Sequence, residues 1–327
     1  MNILFLLGNG FDRNLKMDTS YEAFYKNAYQ VQSSDNPLIK DIKSVIEDDI
    51  QNGLKNWADL ELALGKHTSK LKDREEFDIV FDDIREKLAV YISQQESPYI
   101  FDTSMRDRFL KDMRFPYNFL TAGEKNSFTQ FISNFSSSLI SVNAISFNYT
   151  HSLERIIDDK NKSIKIETNE KIPSFFREIA HIHGFTDNRF ILGVDNIEQI
   201  ANETFKTDED ILNSIIKPRL NNLAQHLCDE RCKKLIDNAH IICLFGLSIG
   251  ETDKTWWEYI GKRLQKGYAK LIIFWKGKEI SPILADKELR AKNTIKERFL
   301  SMNPLSVKQS ISQYIHIAYN SEIFKVE

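Results

Sequence analysis

Ile3-Leu4-Phe5-Leu6-Leu7-Gly8-Asn9-Gly10-Phe11-Asp12 opens the chain with a continuous apolar run, two glycines one residue apart, and an acid. A short apolar run ending in glycine is the pattern of a strand buried on both faces, as in a parallel sheet between helical layers. The glycines then permit a tight turn and close backbone approach at the strand's end. Similar runs recur at Ala144–Phe147, Ile179–Ile182, His240–Phe245, Leu271–Trp275 and Tyr314–Ala318, with weaker candidates at Ile164–Ile166 and Phe190–Val194. Helical patterns separate them. The expected fold is α/β: a Rossmann-like doubly wound, mainly parallel sheet. Ligands of such sheets lie beyond the C-terminal strand ends.

More than a hundred residues separate the first two strands, far beyond an ordinary crossover, and they read as helix. Phe77, Val80, Phe81, Ile84, Leu88, Tyr91 and Ile92 keep a 3.6-residue period. Residues 32–125 are therefore expected as a helical insertion lobe, and 1–31 plus 126–327 as the nucleotide-binding domain. Thr19 with Glu22 has the form of a capping box. Phe128 to Ile140 is also periodic, which places Ser136, Ser137 and Ser138 on a helix's polar side. Thr252 is placed to cap a helix carrying Trp256, Trp257, Ile260 and Leu264. The polar stretch Asp158–Lys171 reads as a surface loop.

The 327 residues carry 44 Lys and Arg against 47 Asp and Glu, a formal charge of −3. Bulk attraction to nucleic acid or an anionic membrane is not indicated. No stretch approaches the roughly 20 apolar residues of a membrane helix, and the N-terminus lacks the pattern of a secretory signal. Cys228, Cys232 and Cys243 are too few for a disulfide framework. The expected compartment is the cytoplasm. His226-x-Cys228-x3-Cys232 has no second ligand pair at zinc spacing, so no metal is expected and buried thiols are the better reading.

Four motifs stand at strand ends. Gly8-Asn9-Gly10-Phe11-Asp12 lacks the third glycine of a dinucleotide fingerprint, Arg13 standing there. Asp12 suits a ribose hydroxyl or an amide better than a phosphate, or it caps the following helix. In Phe147-Asn148-Tyr149-Thr150, Asn148 offers donor and acceptor together, to orient a ribose or a water or to cap a helix. In His181-Ile182-His183-Gly184, His183 sits at the strand's mouth as a candidate acid or base, and His181 reads as structural. Phe245-Gly246-Leu247-Ser248-Ile249-Gly250, with Thr252 and Asp253, reads as a turn that cradles a nucleotide by backbone N–H groups and the Ser248 hydroxyl. The same glycines and serine fit a nucleophile elbow, with Asp286 and His316 to complete a triad. Asp59 and Glu61 in the insertion read as a solvated helix side in preference to cleft residues.

Taken in order, Leu7 to Asp12, Thr19-Ser20-Tyr21 with Phe24, Trp57-Ala58-Asp59-Leu60-Glu61, Phe147 to Thr150, His181 to Gly184, Leu192-Gly193-Val194-Asp195 and Phe245 to Gly250 with Asp253 resemble the AbiH family of bacteriophage abortive-infection proteins. That family looks like a distant relative of sirtuin-type NAD-binding proteins, which include NAD-degrading antiphage effectors. The resemblance implies NAD as substrate, held by Gly8, Gly10, Gly246 and Ser248; Asn9 joins them as a candidate cofactor-binding residue, and Asp12 and Asp253 are candidates for ribose contacts. It pairs Asn148 and His183 as catalytic residues. Thr150 stands where many sirtuins carry Asp, and no sirtuin-like zinc module is present. The expected activity is hydrolysis of NAD to nicotinamide and ADP-ribose, restrained by a regulatory partner or by homo-oligomerisation until a phage-derived trigger that the sequence does not name. The alternatives are a non-catalytic nucleotide sensor, a Ser248 hydrolase, or a nuclease, against which the near-neutral charge speaks.

Overall fold

The computed structural model describes residues 1–98, 104–135, 138–157, 163–168, 170–223, 227–281 and 283–326. Among them seven strands form one sheet: β1 (Asn2–Leu7), β2 (Ile140–Ser146), β3 (Ile164–Lys165), β4 (Ser174–His181), β5 (Ile241–Phe245), β6 (Lys270–Trp275) and β7 (Ile315–Tyr319). Their spatial order is β3-β4-β2-β1-β5-β6-β7, all pairs parallel except β3–β4. The chain therefore builds outward from β1 in one direction, through β2 to β4, and then in the other, through β5 to β7. Phe190–Val194 forms no strand; Val194 makes one isolated bridge to Ile216.

Strand alternation explains why β1 is apolar throughout. Ile3, Phe5 and Leu7 enter one hydrophobic cluster with Val142, Ala144, Cys243 and Phe274. Leu4 and Leu6 enter a second with Ile145, Ile242, Leu244, Trp257 and Ile260. Successive side chains point to opposite faces, and each face is covered.

A third cluster joins residues 23–92 to Tyr149 and to residues 192–216. Its helices are Tyr21–Ala28, Pro37–Gln51, Leu60–His67, Arg74–Glu96 and Glu209–Ile215. The helix Ser104–Arg114, expected within the lobe, instead supplies Phe109, Leu110 and Met113 to the sheet's first cluster.

Two caps sit one residue from their expected places. Ser20, not Thr19, caps Tyr21–Ala28 by accepting from Ala23 N–H, and Thr19 donates to Asn9. Asp253, not Thr252, precedes the helix Lys254–Gln265. The helix Ala122–Ser133 ends before the serine run, so Ser138 is not helical, and Ser136 and Ser137 lie outside the described residues. Within the expected loop Asp158–Lys171, the short β3 pairs with β4 and buries Ile164. No helix among the described residues is long and apolar enough to cross a membrane.

Candidate functional site

Strand register puts the four motifs side by side. Leu7 lies opposite Ser146 and Phe245, and Ser146 lies opposite His181. The segments beginning at Gly8, Phe147, Ile182 and Gly246 therefore leave the sheet in one row, at its C-terminal edge and beside the reversal in strand order.

The first and fourth motifs meet backbone to backbone. Gly8 N–H donates to Phe245 O at 3.0 Å, and Gly10 N–H to Gly246 O at 2.8 Å. A β-carbon on Gly10 would stand 2.4 Å from Gly246 Cα. Gly246 has φ +70°, and its own β-carbon would lie 2.6 Å from Phe11 N. The glycines thus let one loop close on the other, and the Gly8 and Gly10 amides expected to face a nucleotide already donate to carbonyls. Asn9 is exposed at the rim, its side chain bonded to the Thr19 carbonyl and hydroxyl. Ser248 is also exposed.

The Ser248 triad does not assemble. Positive φ falls on Ile249, not on Ser248, where an elbow would place its strain. Asp286 pairs with Arg290 one helical turn on. His316 lies on β7 with Nδ1 3.2 Å from Glu124 Oε1 and Nε2 without a hydrogen-bond partner.

A first polar cluster forms around Asp12, in the short helix Gly10–Asn14. Its carboxylate caps no helix; Ser152 Oγ donates to it at 2.6 Å and Thr150 Oγ1 at 2.9 Å. Asp12 is 2% exposed, and burial pushes its carboxyl up to about 7 against the pull of the Ser152 and Thr150 hydroxyls. The Asn148 amide adds a weaker pull. Asn148 Oδ1 is buried and without a hydrogen-bond partner. The backbone carbonyl of Asn148 lies 3.3 Å from His181 Nδ1, and His181 Nε2 lies 2.5 Å from Glu154 Oε1. The Phe185 ring lies tilted against His181 at a centroid distance of 4.0 Å, so both ring nitrogens and the ring face of His181 are engaged.

A second cluster forms around His183. Its Nε2 is 3.3 Å from Asp253 Oδ1. The same Asp253 oxygen is 2.8 Å from Lys217 Nζ, which also lies 2.8 Å from Glu61 Oε2. Burial opposes charge on Asp253, yet Lys217 and then His183 hold its carboxyl below the usual range. Burial would lower the Lys217 ammonium; Asp253 and then Glu61 raise it above its ordinary value. Burial pushes Glu61 up against the pull of Lys217. Phe147 and Tyr149, flanking Asn148, present their rings to His183 at centroid distances of 5.4 and 6.1 Å. Asn148 and His183, expected as a pair, thus serve adjacent clusters that share one strand end.

The lobe reaches this second cluster. Glu61 is 5% exposed and lies on no solvated face. Asp59 caps its helix by accepting from Leu62 N–H, and its other oxygen accepts from Thr252 Oγ1 at 3.3 Å. Lys217 was not legible: it meets Glu61 across 156 residues of sequence, and no local motif marks it. Cys228 is half-buried with its thiol donating to His181 O, Cys232 is buried, and His226 lies outside the described residues.

Both clusters, and every motif that feeds them, fall within residues 4–275, the span over which the bacteriophage abortive infection family AbiH matches. The chain belongs to the AbiH family. That membership carries a role in phage abortive infection. In this AbiH protein β7 lies beyond the matched span, and β2, β4, β5 and all but the first two residues of β1, which frame the clusters, lie inside it. No curated protein matches the chain.

Proposed function

We propose that this AbiH protein is an abortive-infection effector that binds NAD across the strand ends and hydrolyses it to nicotinamide and ADP-ribose. Counted alone, the parallel strands run 3-2-1-4-5-6, the order of Rossmann-like sheets whose dinucleotide lies at the reversal. The observation that carries the reading is the His183–Asp253 pair, 3.3 Å apart at that edge. Asp253 accepts only, so Nε2 of His183 donates to it and Nδ1 remains to take a proton.

Asn148 Oδ1, buried without a partner, is an acceptor that a ribose hydroxyl or the nicotinamide carboxamide satisfies. Asp12, beside it, carries a proton below about pH 7 and can then donate to a ribose oxygen. Ser248 stands at the exposed rim of the joined glycine loops, where it is placed to meet the rest of the dinucleotide. In the reaction the bond from ribose C1′ to the ring nitrogen breaks, and its electron pair cancels the pyridinium charge. Nicotinamide therefore leaves neutral, with no general acid. Water bonds to C1′, and its proton passes to His183 Nδ1 and then to solvent. The transition state has oxocarbenium character, as in glycoside hydrolysis.

Purified protein is incubated with NAD, and both products are followed by chromatography, with Asn148→Ala alongside. Equal release of nicotinamide and ADP-ribose, reduced at least tenfold in Asn148→Ala, is the expected result. NAD binding without products selects a non-catalytic sensor, and no binding removes the nucleotide altogether.

A further inference from the structure

We infer that Lys217 and Glu61 are positioning residues for the His183–Asp253 pair, so that the helical lobe completes the site. This rests on the reading of His183 as the base. One oxygen, Asp253 Oδ1, meets both His183 Nε2 at 3.3 Å and Lys217 Nζ at 2.8 Å. Where Lys217 holds that oxygen decides where His183 finds its acceptor. Lys217 is in turn fixed from the other side by Glu61 Oε2 at 2.8 Å, and Glu61 Oε1 accepts from Gly193 N–H at 3.2 Å. The side chains of Lys217 and Glu61 are 5% and 6% exposed, so water does not screen these contacts.

The helix Leu60–His67 that carries Glu61 is itself pinned at both ends. Asp59 bonds to Thr252 in the loop before the Asp253 helix. At Gly65 a β-carbon would stand 2.3 Å from Gln199 O, and Gly65 O accepts from Ala201 N–H at 3.0 Å. Lys217 N–H donates to Val194 O at 3.0 Å, one residue before Asp195, whose carboxylate takes the Thr255 hydroxyl. The lobe, residues 193–217 and the β5 loop therefore set one another's positions through this network. A catalytic base misplaced by even an ångström loses much of its effect, so an element that fixes the base shapes the rate.

The test uses the double variant Glu61→Gln/Lys217→Met, which removes one negative and one positive charge and so preserves the balance of the buried cluster. With NAD as probe, the expected result is a kcat lowered about 10- to 100-fold with KM within about threefold, in a protein whose melting temperature stays within a few degrees of wild type. Lys217→Arg keeps the charge and a donor for each of the Asp253 and Glu61 carboxylates and is expected to hold kcat within about threefold; it also serves if the double variant does not fold. A folded double variant with wild-type kcat, or Lys217→Arg as impaired as the double variant, overturns the inference. If the wild type releases no nicotinamide, the reading of the reaction fails, and positioning is judged by nitrogen NMR of the histidine rings. Wild type is then expected to show His183 with its proton on Nε2, and the double variant a mixture of tautomers. An unchanged single tautomer in the double variant overturns the inference independently of activity.

Discussion

Asp12 is a residue whose chemistry departs far from its solution value. Unfolded, its carboxyl titrates near 3.9; folded, burial pushes it up to about 7. Between those values the native state holds a proton that the unfolded chain releases. The stability contributed by this group is therefore complete below about pH 4 and is lost as pH rises toward about 7, by a few kcal/mol at most. Asp12→Asn should remove that fall. Urea midpoints of wild type and variant, measured at pH 5 and pH 7.5, are expected to diverge with pH, and parallel behaviour would contradict the assignment. The same scale shows the limit of local reading. Gly8, Gly10 and Gly246 announce close approach from the sequence, because only a missing side chain allows it. What approaches is another glycine loop more than two hundred residues away, and no local pattern carries that distance. Gly10→Ala should accordingly cost about 2–3 kcal/mol, since its β-carbon meets backbone that cannot yield. Gly123→Ala, with nothing within 4 Å, is the control and should be neutral or slightly stabilising. Equal costs at the two positions, read by denaturant titration, would show that loop closure is not the reason for Gly10.

At the scale of elements, six of the seven strands lie where apolar runs ended in small or polar residues. Burial on two faces leaves a continuous signature, and helices on both sides of β1 supply the reason. Phe190–Val194 has the same composition without pairing along its length, because Gly193 at φ +156° turns the backbone there against Ile215. The caps slipped by one residue because Thr19 and Thr252 have long-range partners, Asn9 and Asp59, that outcompete local capping. The extent of the lobe was harder to read, since a helical period tells that a helix is buried and not against what. Phe109 shows this: its ring lies 5.0 Å from Phe324 and 6.1 Å from Phe11, within the sheet's core. Phe324 in turn lies 5.6 Å from Phe5 and 5.1 Å from Phe245, tying the C-terminal segment to β1 and β5. Phe324→Ala should therefore cost about 3–5 kcal/mol, the loss of a fully buried ring. A loss under 1 kcal/mol by chemical denaturation would mean that this segment is not part of the core.

For the whole molecule, the sheet register aligns four sequence motifs in one row, and the lobe adds Glu61 through Lys217, a residue that no motif marked. Sequence order gave the row its members: Gly8, Asn148, His183 and Gly246 are each placed by the end of a legible strand. It could not pair them, because His183 faces Phe147 and Tyr149, whereas Asn148 faces Asp12. Nor could it reveal Lys217, whose partners come from the lobe and from the β5 loop. In the proposed reaction His183 is the base that Asp253 orients. A positioned base contributes about 100- to 10,000-fold. The measurement that tests this most directly is the rate of nicotinamide release from NAD by wild type and by His183→Ala, with circular dichroism confirming that both are folded. A folded His183→Ala protein slowed by that factor is the predicted result. Full activity in that variant, or none in the wild type, would contradict the account.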